Sequence, residues 1–303
     1  MRFLVIGANG QVGHALLAAL APLGDVVAST RSGQLPDGRA CLAADVADTA
    51  SLAGLVHRAA ADVVVNASAY TAVDRAEDEP GLAHRINADA PRALAAACAA
   101  SGVPLVHFST DYVFDGSGTR PYREDDATAP LGVYGASKWA GEQAVRDSGA
   151  AHKIFRLCWV HGPRGGNFLL TMLRLGRERD HLRVVADQIG APTSALRIAS
   201  GVARSLAAQP ALSGTWHLSA EGETSWHGFA TAIFQGAVER GLLARAPSVE
   251  AITSAEYPTR ARRPAYSRLD TGRFQRDFGF HIGDWREGMA EVLDALAGPA
   301  RAP

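Results

Sequence analysis

Residues 1–24, MRFLVIGANGQVGHALLAALAPLG, decide the fold. RFLVIG is a continuous apolar run ended by Gly7, the pattern of a parallel strand buried on both faces. It turns glycine-rich at once and offers no small-residue cleavage site, so a strand is expected rather than a secretion signal. QVGHALLAALAPLG, 11–24, repeats apolar residues at helical period and stops on Gly24. Between strand and helix stand Gly7, Gly10 and Gly13. The first permits a tight turn, the second lets backbone approach a pyrophosphate, and the third lets the helix pack close to the strand. The helix N-terminus then faces the anion. Asn9, Gln11 and Val12 fill the same loop and complete the expected dinucleotide cradle.

Working outward, strand and helix patterns alternate. Strands are expected at 25–30, 40–46, 62–68, 104–110 and 152–160, and helices at 49–60, 86–102 and 134–149. That alternation predicts an α/β fold, a doubly wound Rossmann-type parallel sheet covered by helices on both faces. After about residue 160 the pattern loosens into a smaller α/β substrate domain. The expected division is 1–160 for cofactor binding and 161–303 mainly for substrate, with segments of about 187–217 returning to the first domain. The stretch PTRARRPAYSRLDTGRFQRDFGF, 258–280, reads as an Arg-rich loop packed over something acidic or phosphorylated.

The second strand ends in ASTRSG, without the carboxylate that commonly holds the adenosine ribose of NAD. Arg31 stands there instead, suited to a 2′-phosphate, so NADPH is favoured, with NADH as the alternative. Asp45 and Val46, after the third strand, sit where such folds meet adenine.

Composition excludes several partners. The 303 residues carry a net charge of −1, so no global field draws the chain to nucleic acid or anionic membrane. No apolar run is long enough for a membrane span. Cys41, Cys98 and Cys158 form no CxxC pair and point to a reduced, cytoplasmic setting. The ten histidines show no zinc-ligand spacing, so no metal site is expected.

GVYGASKWAGE, 132–142, holds one of only two lysines, Lys138, in a chain that otherwise uses arginine. Tyr134 and Lys138 lie four apart, on one helix face. A phenol is a poor acid at neutral pH, and a nearby ammonium is expected to lower its pKa. Lysine's compact charge also suits ribose hydroxyls better than the planar fork of arginine. FSTDYVFDG, 108–116, ends a buried strand on Ser109 and Thr110, where doubly wound sheets open their ligand crevice. Thr110 is expected to aim at the same substrate oxygen as Tyr134, with Asp111 as a substrate contact.

At this point the sequence resembles the extended short-chain dehydrogenases, whose Ser/Thr–Tyr–Lys triad is matched by Thr110, Tyr134 and Lys138. It is similar in particular to the dTDP-4-dehydrorhamnose reductase family. GANGQVG, VVVNASAYTAVDRAED (63–78), STDYVFDG, YGASKWAGE, RLCWVHG (156–162), NFLLTML (167–173), VVADQIGAPTS (184–194) and RPAYSRLD (263–270) occur in the family's order over most of the chain.

The resemblance implies NAD(P)H-dependent reduction of the 4-keto group of dTDP-6-deoxy-L-lyxo-4-hexulose to dTDP-L-rhamnose. Tyr134 would donate the proton, Thr110 would bond the carbonyl oxygen, and Lys138 would orient the ribose. Asn66, Ala67, Ser68 and Ala69 would line the cofactor, with Tyr70 and Thr71 near nicotinamide and sugar and Asn87 in support. Trp159 would give the deoxysugar an apolar wall. Asn167, the loop 188–193 and the Arg-rich tail would hold the nucleotide diphosphate. Some members bind magnesium at a dimer contact through an acidic residue just after the glycine loop. Ala15 stands there, so a magnesium bridge is not expected, and the chain is read as a monomer or homodimer. The alternatives are another nucleotide-4-ketosugar reductase or epimerase, and a non-catalytic subunit like the regulatory partners of methionine adenosyltransferase.

Overall fold

The computed structural model describes residues 1–298; residues 299–303, the end of the expected substrate domain, lie outside the described residues. Seven strands form one parallel sheet: β1 (Arg2–Ile6), β2 (Asp25–Thr30), β3 (Leu42–Ala43), β4 (Val63–Asn66), β5 (Leu105–Thr110), β6 (His152–Leu157) and β7 (Gly214–His217). Their order is β7-β6-β5-β4-β1-β2-β3. The chain runs from β1 to one edge, then returns to β4 on the other side of β1. This reversal opens a crevice at the strand carboxyl ends.

Residues of period two explain the layering. Phe3 and Val5 of β1, with Val63, Val65, Val106, Phe108 and Phe155, enter one apolar cluster, while Leu4, Ile6, Val64, Leu105 and Ile154 enter another. Both faces are therefore covered, as the unbroken apolar strands require. The first face packs against α1 (Gln11–Leu20) and a helix over Ala195–Ala208; the second packs against α2 (Leu52–Ala59) and α3 (Ala90–Ser101). The first cluster runs on without a break into Phe229, Phe234, Trp285 and Val292, on the helices Trp226–Glu239 and Trp285–Ala297. The strand pair His181–Val185 and Ser248–Ile252 completes this second region.

The parallel sheet expected from the sequence is present, with local differences. The third strand shrinks from 40–46 to Leu42–Ala43, because the chain turns at Asp45, whose Oδ1 accepts the Ala47 N–H at 2.9 Å. The helix expected over 86–102 begins in a π-helical turn, Arg85–Asp89. Within the Arg-rich tail, Gly272–Phe278 is helical, with Phe274 and Phe278 buried at i,i+4.

Candidate active site

The glycine loop is built by close approach. Gly7 has φ +80°, and a Cβ there would lie 2.8 Å from the Ser68 nitrogen. A Cβ on Gly13 would lie 2.2 Å from the Gly7 carbonyl oxygen, so only glycine lets α1 sit down on the turn. No side chain caps α1, and its first turn carries no acid, so the positive end of the helix beside the loop is left without a side-chain partner. A cavity of about 400 Å³ opens there, lined by Gly7, Asn9, Gly10, Arg31, Asp45, Val46, Ala67, Ser68 and Ala69. Thr30, Ser32, Ala44 and Ile86 line it too and were not singled out from the sequence. Val12 packs into the core beneath the loop. Gln11 faces away from the cavity, its Oε1 accepting from Asn167 Nδ2 at 2.9 Å.

The floor beside this groove is a buried polar network at the ends of β4 and β5. Asn66 Oδ1 accepts from the Ser68 hydroxyl at 2.5 Å, and its Nδ2 lies 3.3 Å from His107 Nδ1. Burial and the Lys138 charge hold His107 neutral, its pKa well below the usual imidazole range. Asn87, in the π-helical turn, bonds Tyr70 through both ends of its amide, with N–H to Oδ1 at 2.8 Å and Nδ2 to O at 3.0 Å. It also donates to the Ser137 hydroxyl at 3.0 Å.

The helix α4 (Val133–Arg146) carries Tyr134 and Lys138. Small residues set its depth. A Cβ on Gly135 would lie 2.2 Å from the Tyr112 carbonyl oxygen, and one on Gly141 would lie 2.0 Å from that of Asn87. Glu77, not anticipated from the sequence, accepts the Val133 N–H at 2.9 Å and so satisfies the first turn. Thr110 at the end of β5 donates to Asp111 Oδ1 at 2.8 Å, and Tyr112 packs edge-on against the Tyr134 ring with centroids 5.7 Å apart.

Lys138 is fully covered and donates to the Phe108 carbonyl at 2.5 Å. Burial lowers its pKa to about 8, opposed by the Glu142 charge. Burial raises Tyr134 to about 12; the nearby Thr110 hydroxyl opposes the rise and the Asp111 charge adds to it. The balance on the phenol is thus opposite to the lowering expected from Lys138, because desolvation dominates and the ammonium is turned to a backbone carbonyl. The other lysine, Lys153, is also buried and bonds the Gln209 carbonyl at 2.7 Å and that of Leu212. Each lysine places a compact ammonium against backbone oxygens inside the protein.

The expected substrate residues scatter more. Thr71 is exposed, and the Tyr70 hydroxyl donates to Glu79 at 2.6 Å. Asp111 is buried beside Thr110. Trp159 has φ +43°, rare for a bulky residue, and stacks on Trp226 at 3.6 Å. A Cβ on Gly190 would lie 2.5 Å from the Trp159 ring. Trp226 sits in a stretch with no chemical pattern and emerges only from the packing, whereas Gly190 lies in the loop 188–193 already expected at the substrate side. Asn167 caps the helix Phe168–Glu178, accepting the Leu170 N–H at 3.0 Å, while its Nδ2 holds Gln11 and the Gly162 carbonyl. Its polar groups are engaged inside the protein.

In the Arg-rich tail, Arg263 pairs with Asp74 at 2.8 Å, Arg260 with Asp78, and Arg268 with Glu223 at 3.3 Å. The acidic surface it covers is the chain's own. Arg262 instead lines a narrow crevice with Tyr112, Gly132 and Tyr134.

Among the described residues no cluster of His, Cys, Asp or Glu is arranged for a metal ion, and no helix is long and apolar enough to cross a membrane. A dTDP-4-dehydrorhamnose reductase from Burkholderia thailandensis is 46% identical, over 94% of this chain and 96% of its own length. One from Escherichia coli (strain K12) is 42% identical over 98% of both. The crystal structure of a dTDP-4-dehydrorhamnose reductase from Bacillus anthracis str. Ames in complex with NADP superposes with TM-score 0.87 at 34% identity, covering 96% of this chain and 98% of the other. A family model described as the RmlD substrate binding domain matches residues 1–297, and the chain belongs to that family.

Proposed function

We propose that this protein is an NADPH-dependent dTDP-4-dehydrorhamnose reductase, converting dTDP-6-deoxy-L-lyxo-4-hexulose to dTDP-L-rhamnose. The observation that carries the reading is the meeting of Thr110, Tyr134 and Lys138 at the carboxyl end of β5, next to the groove built by the glycine loop. When bound, NADPH supplies the hydride. Gly7, Gly10 and the N-terminus of α1 hold its pyrophosphate, Arg31 and Ser32 take the 2′-phosphate, and Asp45 and Val46 border the adenine. The absence of a carboxylate at the end of β2 favours NADPH over NADH.

Tyr134 donates its phenolic proton to the 4-oxygen as charge develops there. With its pKa raised by burial, the phenol is fully protonated at neutral pH and ready to donate. Thr110 hydrogen-bonds the same oxygen, placing a fixed dipole where negative charge appears. Lys138, anchored at Phe108, orients the nicotinamide ribose. Tyr70, Thr71 and Asp111 border the sugar, and the Trp159–Trp226 stack offers the 6-deoxy carbon an apolar wall. Asn167 serves the nucleotide side by holding Gln11 and the loop after Gly162. Residues 1–160 with 187–217 form the cofactor unit, and 161–303 mainly the substrate unit. The enzyme works in the cytoplasm, where its free cysteines stay reduced, as a monomer or homodimer without a magnesium bridge.

The test is loss of reduced-nicotinamide absorbance with dTDP-4-keto-6-deoxyglucose and a 3,5-epimerase. Oxidation that requires the epimerase and yields dTDP-rhamnose supports the reading. Oxidation without it points to a different 4-ketosugar reductase, and none despite NADPH binding refutes reductase activity. Tyr134→Phe is expected to bind NADPH and to lose turnover by about 10²-fold or more.

A further inference from the structure

The family resemblance sets Gln188 among the residues that would hold the nucleotide diphosphate, yet both ends of its amide are engaged inside the protein. The residue is 8% exposed. The Trp226 indole N–H donates to its Oε1 at 3.1 Å, and its Nε2 donates to Ser254 Oγ at 2.8 Å. Ser254 Oγ donates in turn to Asp187 Oδ1 at 2.6 Å, and the Ser254 N–H reaches both Asp187 oxygens at 2.9 Å.

Chemistry fixes the direction of every bond in this chain. An indole N–H only donates, and a carboxylate only accepts. The single Ser254 hydroxyl proton therefore goes to Asp187, leaving that oxygen to accept from Gln188. The amide must turn its oxygen to Trp226 and its NH₂ to Ser254, since the flipped amide would set donor against donor at the indole.

The chain ends on a ring that needs holding. Trp226 and Trp159 lie almost face to face, with centroids 3.6 Å apart and planes 8° from parallel. Ring quadrupoles favour offset or edge-on pairs at wider spacing, so this geometry is not one that two indoles choose for themselves. Three features impose it. Ser225 caps the helix Trp226–Glu239 by accepting the Gly228 N–H at 3.0 Å, which fixes the Trp226 backbone. Gly190 lies where a Cβ would meet the Trp159 ring at 2.5 Å, which lets that ring lie flat. The strands Ile189–Gly190 and Thr224–Ser225 pair antiparallel, Gly190 with Thr224 and Ile189 with Ser225. One step further in that register sets Gln188 opposite Trp226, where its amide oxygen pins the indole edge.

We propose that Gln188 is a positioning residue for sugar binding: it keeps Trp226 flat on Trp159, so that the aromatic wall meets the sugar in one orientation, and it does not contact the diphosphate. The proposal rests on the reading of the Trp159–Trp226 stack as that wall.

The test compares Gln188→Met with Gln188→Glu. Methionine keeps the length and removes both hydrogen bonds. Glutamate keeps an acceptor for the indole and takes the Ser254 proton, while Asp187 retains the Ser254 N–H. Q188M is expected to raise KM for the sugar nucleotide about fivefold, the effect of one neutral hydrogen bond, with kcat changed less than about twofold. Q188E should keep KM within about twofold of wild type. A diphosphate ligand gives the reverse order, because the added carboxylate repels phosphate, so a larger KM rise in Q188E than in Q188M overturns the proposal. Circular dichroism reads the stack directly. Two stacked indoles couple their transitions into a pair of bands of opposite sign, which should weaken in Q188M and persist in Q188E. In a Trp226→Ala background, Q188M should add less than about twofold in KM, and a full further fivefold rise there overturns the proposal. The wall and the role of Gln188 fail differently. Unchanged KM in Trp226→Ala sinks the wall, whereas raised KM there with wild-type KM and band pair in Q188M sinks only Gln188. If Q188M does not fold, Ser254→Ala decides: it removes the acceptor that orients the amide, and an unchanged KM and band pair in that variant overturns the proposal.

Discussion

Glu142, one turn beyond Lys138, anchors α4 through a buried ion pair whose removal has a defined cost. Its carboxylate takes two parallel bonds from Arg156, Nε to Oε1 and Nη2 to Oε2, both at 2.9 Å. The side chains are 0% and 1% exposed. Arg146 adds a third bond at 2.6 Å but is itself 30% exposed. In Glu142→Met the Arg156 guanidinium stays buried, left with the Glu124 carbonyl at 3.2 Å, His217 Nε2 at 3.4 Å and the rings of Phe114 and Trp139, none of them an anion. An uncompensated buried charge costs about 3–5 kcal/mol. Arg156→Met strands Glu142 with Arg146 still beside it, so its cost falls at the low end, about 3 kcal/mol.

The double variant removes both charges and fills the space with two apolar chains, a change that is often neutral. Arg146 then turns to solvent at a loss of about 0.5 kcal/mol. The double variant is therefore expected to cost about 3 kcal/mol or more less than the sum of the singles. Urea unfolding followed by tryptophan fluorescence reads all four proteins. Single costs below about 1 kcal/mol, or additivity within about 0.5 kcal/mol, would refute the reasoning. Removing Glu142 also takes away the charge that supports the Lys138 ammonium, so the alkaline limb of turnover should move to lower pH in E142M.

Three other outcomes are expected. Gly13→Ala sets a Cβ 2.2 Å from the Gly7 carbonyl oxygen, and should weaken NADPH binding by about tenfold or more in a fluorescence titration while the substrate half keeps its fold. In wild type, turnover that depends on the Lys138 ammonium should fall as pH rises through about 8, and Lys138→Met should abolish that limb along with most activity. Because burial depresses this lysine's pKa, the same titration favours the folded state as pH climbs from about 8 toward 10.5, so the activity loss will not coincide with unfolding on that account. Trp226→Ala unstacks Trp159 and lets it leave its left-handed backbone conformation; KM for the sugar should rise more than kcat falls, and equal KM values would count against the apolar wall.

The sheet and its cofactor groove were legible because they depend on short-range rules. RFLVIG followed by Gly7, Gly10 and Gly13 specifies a buried strand, a tight turn and a docked helix within thirteen residues; Gly7, Asn9 and Gly10 of the groove follow from that arrangement, Arg31, Asp45 and Val46 from the ends of the next strands, and Ala67, Ser68 and Ala69 from the family resemblance. Tyr134 and Lys138 were legible because four residues make one helical turn. Other features depend on partners far away in the chain. The Arg-rich tail reads as free charge until Asp74 and Asp78, nearly two hundred residues earlier, are found beneath it. Asn167 reads as a ligand contact until its amide is found holding Gln11.

By itself, then, the sequence determined which residues form the strands, the glycine turn and the helix face that carries Tyr134 and Lys138, since spacing along the chain dictates these. Only the tertiary structure decided the electrostatic state of the site. The rise of the Tyr134 and Asp111 pKa values, the fall of Lys138 and the strained Trp159 on Trp226 all come from burial among side chains brought together by folding. Desolvation is a property of the packed surroundings and has no local pattern in the chain.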